Sequence, residues 1–443
     1  MSALNTDLYE LTMAAGYFAA QKTQEVATFE LSVRRMPQRR NFLVAAGLQQ
    51  AVEYLLSLRF RSEEIQYLRS LPQFSKVSEE FFEFLGKLRF TGDVFAVPEG
   101  TPIFPGEPIA IVRAPLVEAQ MVETYLLSTF AFQTTIASKA ARCCFAANGR
   151  PIVEFGSRRA HSPEAGILAG RAAYIAGCTG TSNAEAGRRF DIPVFGTAAH
   201  SWTMAFPDEE SSFRSLQALL GESTVYLIDT YDTLEGARLA VRLGRPIWGV
   251  RLDSGDLSVL SRKVRRILDA SGLNEAKIMA TNDLNEDRLA ELVSSGAPID
   301  AFGVGTELAT SADSPTLSAV YKLVELKRGK KTYYTAKFSG DKETIPAAKQ
   351  IYRSLGRDLI AHYDECSNSF EGDPLLRPVV IGGELLEPLP SATQIQAYAR
   401  AAISALPKDL HSLTREAAYQ VDVSPALIAL RDDLRASHQF VES

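Results

Sequence analysis

Cysteine is scarce in this chain: Cys143, Cys144, Cys178 and Cys366 are the only four in 443 residues, and no two form a CxxC pair. That usage excludes a disulfide framework and a structural zinc site, and fits a reducing compartment in which each thiol serves as a small buried hydrophobe. Histidine occurs five times, so imidazole chemistry has few candidates. A basic excess is also missing. Forty-seven Lys and Arg against 53 Asp and Glu leave a net charge of -6, with the cations dispersed, so no whole-chain field gathers nucleic acid or an anionic membrane. Local positive groups must meet any anionic substrate. No uncharged apolar run approaches the roughly 20 residues of a membrane helix, and the opening MSALNTDLYELTM lacks the basic-then-apolar pattern of a signal peptide. The expected location is the cytoplasm. What is present, 46% apolar and 23% charged residues, suffices for two or three domains with real cores.

The punctuation of the chain divides it at 1–148, 149–328 and 329–443. The first part mixes helical periodicity in ALNTDLYELTMAAGYFAA and LQQAVEYLLSL with a strand-like VATFELSV. Five prolines and three glycines in GDVFAVPEGTPIFPGEPIAIVRAPL then predict short strands joined by tight turns, in a small α+β or sandwich domain. A long, weakly charged helix from about Val117 to Ala147 follows, expected to lie buried between domains. Beyond Gly149 seven β-rich runs (PIVEF, AGCTGTS, IPVFGTA, TVYLIDT, PIWGVRLD, AKIMATND and PIDAFGVG) recur with helical segments between several of them. Polar residues cluster directly after the strands, which favours a slightly irregular α/β barrel over a doubly wound sheet. The last part reads as strands and turns, with a hairpin at GGELLEPLP, then a helical tail expected to pack back on the first domain.

The chemistry sits at the strand ends. Phe302-Gly303-Val304-Gly305-Thr306 follows an apolar run late in the strand order, so its backbone N–H groups and the Thr306 hydroxyl suit a phosphate; the alternative is a tight turn needing positive φ. Gly196-Thr197-Ala198-Ala199-His200 delivers one imidazole among small neighbours, as a general base or as a nucleophile carrying a covalent group. Arg251 and Asp253 lie two apart on one side of a strand end: an arginine fork suits a carboxylate or phosphate, an aspartate suits ribose hydroxyls or hydrated Mg²⁺, and a self-satisfied ion pair is the bland alternative. Asp229 in LIDTYDT is a further acidic strand end. Phe155-Gly156-Ser157-Arg158-Arg159 offers an aromatic face beside two cations. Arg34, Arg35, Arg39 and Arg40 crowd within seven residues and read as a solvated basic loop, or as a place where an anion docks from a partner subunit.

Taken in order, Thr6-Asp7-Leu8-Tyr9, EFGSRRAHSPEAG, GTSN, FGTAAHS, LIDTYDT, VRLDSGDL and FGVGTEL closely resemble the nicotinate phosphoribosyltransferase family over nearly the whole chain. The resemblance implies an N-terminal α/β domain, an irregular barrel of the type II phosphoribosyltransferase class, and a homodimer with shared active sites. It implies ATP-dependent transfer of ribose 5-phosphate from phosphoribosyl pyrophosphate to nicotinate, with Mg²⁺ and ATP required and no organic prosthetic group. His200 would be the residue that ATP phosphorylates, and Thr197 would line the nicotinate pocket. Tyr9 would be lent to the neighbouring subunit to cover the ring whose other face meets Phe155. Arg251 would neutralise the nicotinate carboxylate, Arg158 would contact phosphate, and Gly303, Gly305 and Thr306 would hold the donor's phosphate. Asp253 and Asp229 would surround the ribose and the pyridine. Related nicotinamide phosphoribosyltransferases carry Asp where this chain has Ser182; an aspartate would accept from a carboxamide and repel a carboxylate, so Ser182 favours the acid. Some relatives have a Cys-rich, metal-binding tail that a single Cys366 cannot supply. Competing readings are nicotinamide or quinolinate as acceptor, a non-catalytic metabolite sensor on the same scaffold, and a barrel lyase, for which no strand end offers the lysine that aldolase-type chemistry wants.

Overall fold

The computed structural model describes residues 2–338, 343–365 and 370–439; Cys366 lies outside them. The described cysteines Cys143 and Cys178 are buried and Cys144 is partly so, all as free thiols. No helix among the described residues is long and apolar enough to cross a membrane.

Two lobes of different architecture make up most of the chain, beside a four-stranded sheet of 373–374, 349–354, 357–362 and 420–423 with a small core of its own. In the first, Val26–Val33 is flanked antiparallel by Ala319–Arg328 and Pro108–Pro115. The seven-stranded sheet continues through Asp93–Ala96 to the hairpin of Arg377–Ile381 and Glu384–Leu385. That hairpin turns at Gly382 and Gly383, with φ of 59° and 79°, the left-handed pair a two-residue turn needs. Val26–Val33 reads VATFELSV, with apolar Ala27, Phe29, Leu31 and Val33 alternating with Thr28, Glu30 and Ser32, and every residue after Val26 is buried. Helices lie against this sheet and share its core, making the lobe α+β.

The second lobe is a parallel sheet in which strand 152–154 pairs with 180–181 on one side and with 301–304 on the other, followed by 277–280, 249–252 and 225–227. The first strand of the repeat thus pairs with the last, the winding order of a barrel. The ring is not closed by a ladder, however. The third expected strand, IPVFGTA, contributes one isolated bridge, Val194 to Thr181, and no strand joins it to Val225–Leu227. Pro193 has no N–H to donate and residues 193–196 are exposed; contact with the neighbouring strand is limited to Phe195 N–H to Thr181 O at 2.9 Å and Thr181 N–H to Pro193 O at 3.1 Å, short of a ladder. The remaining strands alternate as a barrel requires. Ile152, Val250, Leu252, Ile278, Ala280, Phe302 and Val304 join the helices in the outer core. Val153, Met279 and Ala301 pack on the other face with Phe155 and Trp248.

Between the lobes runs the expected long helix, broken at Val122 into Leu116–Met121 and Glu123–Ala147. The C-terminal segment reaches both lobes. Arg377–Ile381 extends the antiparallel sheet, whereas helix Ala392–Ser404 lies on helix Pro163–Ile175 and buries Ala392, Ile395, Ala399 and Ile403 in the parallel lobe's core.

Candidate functional site

Register brings the inward residues to one end of the parallel sheet. Met279 is paired with both Arg251 and Ala301, and Val153 with Gly303, so Arg251, Phe155 and Gly303 share the inner face at the carboxyl ends of their strands. There a cleft of about 180 Å³ is lined by Phe155, Arg158, Arg159, Arg251, Asp253, Thr281, Asn282, Asp283, Gly303, Gly305 and Thr306.

Arg251 is the centre of this cleft. Its Nε donates to Thr281 Oγ1 at 3.0 Å, Nη1 to Thr197 Oγ1 at 2.7 Å and to Ala198 O at 3.4 Å, and Nη2 to Asp253 Oδ1 at 2.8 Å. Its guanidinium carbon lies 5.8 Å from the centre of the Phe155 ring. Four of the five N–H groups of the fork are therefore engaged, leaving one for a ligand. Asp253 also accepts from Thr281 Oγ1. Burial pushes its carboxyl up, but the Thr281 hydrogen bond and the Arg251 charge outweigh that, and it is held below the usual range. The Asp253 backbone N–H donates to Asp229 Oδ2 at 2.9 Å, and Ser254 Oγ donates to the same oxygen at 2.6 Å. Asp229 Oδ1 is buried without a protein partner.

His200 opens a short helix beside this network. Its Nε2 is 3.6 Å from Asp253 Oδ2 and its Nδ1 is 3.2 Å from Thr230 Oγ1, with the side chain 37% exposed. The glycines are required by close approach rather than by turn conformation. A Cβ on Gly303 would lie 2.6 Å from the Phe155 ring and 2.7 Å from Thr281 Cγ2, and one on Gly156 would lie 2.3 Å from Ala309 Cβ. Neither Gly303 nor Gly305 has positive φ, which removes the tight-turn alternative.

A second, larger cavity of about 700 Å³ opens from Phe155 and Thr197 into the ring interior and reaches Pro151, Thr179, Trp248, Lys277 and Asp300 at the strand starts. The interior is therefore partly hollow, where the expected strand IPVFGTA is missing from the sheet.

Of the residues singled out in the sequence, Phe155, Arg158, Thr197, His200, Asp229, Arg251, Asp253, Gly303, Gly305 and Thr306 gather in this region. His200 and Asp229 join it through Asp253 rather than by lining a cavity, and Ser182 and Tyr9 line neither cavity. Ser182 lies just past its strand with its N–H bonded to Glu154 O at 2.9 Å. Tyr9 is 46% exposed on helix Leu8–Ala19. Arg159, one of the two cations of the Phe155–Arg159 segment, lines the cleft, as do Thr281, Asn282 and Asp283, which were not singled out in the sequence. The last two carry φ of 91° and 46°; the Asn-Asp pair after a strand was the available signal, since these residues tolerate the left-handed region best. The expected solvated arginine loop is corrected: Arg40 is buried against Asp313 and Ser311, while Arg39 makes an exposed pair with Asp287.

Comparison with known proteins places this geometry among relatives. Residues 4–131 match the model of the nicotinate phosphoribosyltransferase (NAPRTase) N-terminal domain, 151–344 that of the NAPRTase family, and 361–431 that of the nicotinate phosphoribosyltransferase C-terminal domain. A nicotinate phosphoribosyltransferase of Mycobacterium tuberculosis is 43% identical over 97% of this chain and 93% of its own length. That of Bacillus subtilis is 38% identical over 95% of this chain and 93% of its own. The crystal structure of human nicotinic acid phosphoribosyltransferase superposes with a TM-score of 0.84 at 29% identity, covering 97% of this chain and 99% of that one.

Proposed function

The chain belongs to the nicotinate phosphoribosyltransferase family, and from that premise we propose that the cleft around Arg251 transfers ribose 5-phosphate from phosphoribosyl pyrophosphate to nicotinate, coupled to ATP through phosphorylation of His200. The protein is a phosphoribosyltransferase of NAD biosynthesis. The carrying observation is the position of Arg251: a buried cation beside an aromatic ring, in the same cleft as the Gly303–Thr306 loop and two further arginines.

The pyridine nitrogen attacks C1 of the ribosyl donor, the C1–O bond to pyrophosphate breaks, and no proton leaves the nucleophile. The protein's work is positioning and electrostatics. Phe155 supplies a face for the ring. One free Arg251 N–H and the Thr197 hydroxyl, which accepts from Arg251 Nη1 and donates only a long 3.3 Å bond to Ala198 O, meet the carboxylate. Asp253, kept ionised by its neighbours, lies where positive charge develops on the sugar. Arg158, Arg159 and the amides of the 303–306 loop receive the donor's phosphates. Asp253 and Asp283 line the cleft and would face a hydrated Mg²⁺ brought in with the donor, which would supply charge neutralisation for the pyrophosphate. Because Ser182 lines neither cavity, preference for the acid over the amide rests on Arg251.

His200 has one nitrogen turned to Thr230 and the other toward Asp253. Transfer of the γ-phosphoryl group of ATP to this ring, with ADP leaving, adds negative charge and acceptor oxygens at the mouth of the cleft. Hydrolysis of the phosphohistidine after each turnover resets it. Tyr9, exposed on its helix and not part of its own chain's cleft lining, would serve the site of a second copy in a homodimer. The deciding assay is product formation by purified protein with nicotinate or nicotinamide, each with and without ATP. Nicotinate mononucleotide formed faster with ATP is the expected result; preference for the amide refutes the Arg251 assignment.

A further inference from the structure

Next to the cleft lies a cluster of buried charge that the transfer step does not use. Lys139 and Arg142 come from helix Glu123–Ala147 and Arg40 from the first lobe. Glu286 opens helix Glu286–Ser294, and Asp313 follows the short helix Thr306–Ala309. Lys139 Nζ donates to Asp313 Oδ1 at 2.9 Å and also to Glu286. Arg40 grips Asp313 through both terminal nitrogens, at 2.8 and 3.0 Å, and Arg142 Nε donates to Glu286 Oε1 at 3.0 Å. The side chains of Lys139, Glu286 and Arg40 are 1%, 1% and 2% exposed.

Buried ion pairs roughly break even against apolar packing of the same volume, so stability alone does not account for five charges here. Their placement does. Glu286 stands three residues beyond Asp283 and Asp313 seven beyond Thr306, so each carboxylate anchors the root of one of the two neighbouring loops that line the cleft after the paired strands 277–280 and 301–304. Arg40 also reaches Ser311 Oγ at 3.4 Å, beside a buried non-glycine backbone with φ of 44°, a conformation that needs support from its surroundings.

We infer that Lys139 is a positioning residue for the phosphoribosyl donor: by bridging Glu286 and Asp313 it sets the spacing between the Asn282–Asp283 loop and the Gly303–Thr306 loop, between which the donor's charged ends are held. The inference rests on the proposed reading of the 303–306 loop as the phosphate loop. A displacement of an ångström or less in one root is felt at the reacting centre, because the donor must be presented in line for displacement.

The test is steady-state kinetics on the full chain, varying donor and nicotinate separately, for wild type, Lys139→Met, Lys139→Arg, Asp313→Asn and Lys349→Met. Lys349 is the control: an equally buried lysine paired with Glu30 in the antiparallel lobe. Expected is a rise of about tenfold in donor KM for Lys139→Met and Asp313→Asn with nicotinate KM within about twofold, and recovery by Lys139→Arg. Lys349→Met lowers Tm and leaves both KM values in place. An unchanged donor KM in Asp313→Asn, a parallel rise in both KM values, or the same pattern in Lys349→Met overturns the inference. If Lys139→Met fails to fold, Asp313→Asn, which conserves shape, decides. A wild-type protein with no transferase activity on nicotinate overturns the underlying reading and this inference with it.

Discussion

Replacing Arg251 by alanine is the sharpest perturbation of the cleft. The side chain makes four hydrogen bonds to protein and is 8% exposed, so its loss removes the ligand's cation and also strands Asp253, Thr281 and Thr197. A charge-assisted hydrogen bond lost to a substrate carboxylate is worth about 1.5–3 kcal/mol. At about 1.4 kcal/mol per factor of ten, kcat/KM for nicotinate falls on the order of 10²-fold. Nicotinamide, which has no charge to neutralise, loses less. The decisive measurement is the ratio of the two kcat/KM values in wild type and variant: an equal loss for acid and amide, or no loss at all, would refute the assignment. Stability supplies an independent readout. Asp253 is depressed in the folded chain, so its contribution is present above the ordinary aspartate pKa and is lost as pH falls through the depressed folded value. Without Arg251 that depression shrinks. The Tm gap between wild type and variant is therefore widest near neutral pH and closes on acidification.

Alanine at His200 leaves slow transfer that no longer responds to ATP, and ATP hydrolysis in step with product in that variant would remove the phosphohistidine. Glu10 offers a pH test away from the cleft. Burial pushes its carboxyl up to about 7, partly countered by a hydrogen bond from Gln120, and its Oε1 is buried without a partner. A raised acid stabilises least where it must ionise: stability drains between the unfolded pKa and about 7 as pH rises. Glu10→Gln accordingly raises Tm more at pH 8 than at pH 5, and a pH-independent difference contradicts the reasoning.

Legibility in the sequence followed locality. The strand-end positions of Arg251, Asp253, His200 and the Gly303–Thr306 loop were readable because strand period and strand-to-loop order fix which residues reach the inner face. The hairpin at Gly382 and Gly383 was readable from turn chemistry. What escaped depends on partners distant in the chain. Arg40 looks like any surface arginine until Asp313, 273 positions away, is folded against it. Thr281 looks like filler until Arg251 turns out to need an acceptor there. The third expected strand, IPVFGTA, failed because apolar content says nothing about whether a ladder partner exists, and residues 193–196 have none beyond one bridge.

The helix Glu123–Ala147 belongs to two cores at once. Its early turns place Leu126 and Phe130 among the side chains of the antiparallel lobe, and its later turns place Ile136, Ala137, Ala140 and Cys143 in those of the parallel lobe. Neither half of the molecule is thus a complete thermodynamic unit. Cutting the chain near Asn148 would strip one lobe of a wall and leave the other carrying a bare apolar stripe, so calorimetry should record one concerted melting of the intact protein, and separately expressed halves should aggregate.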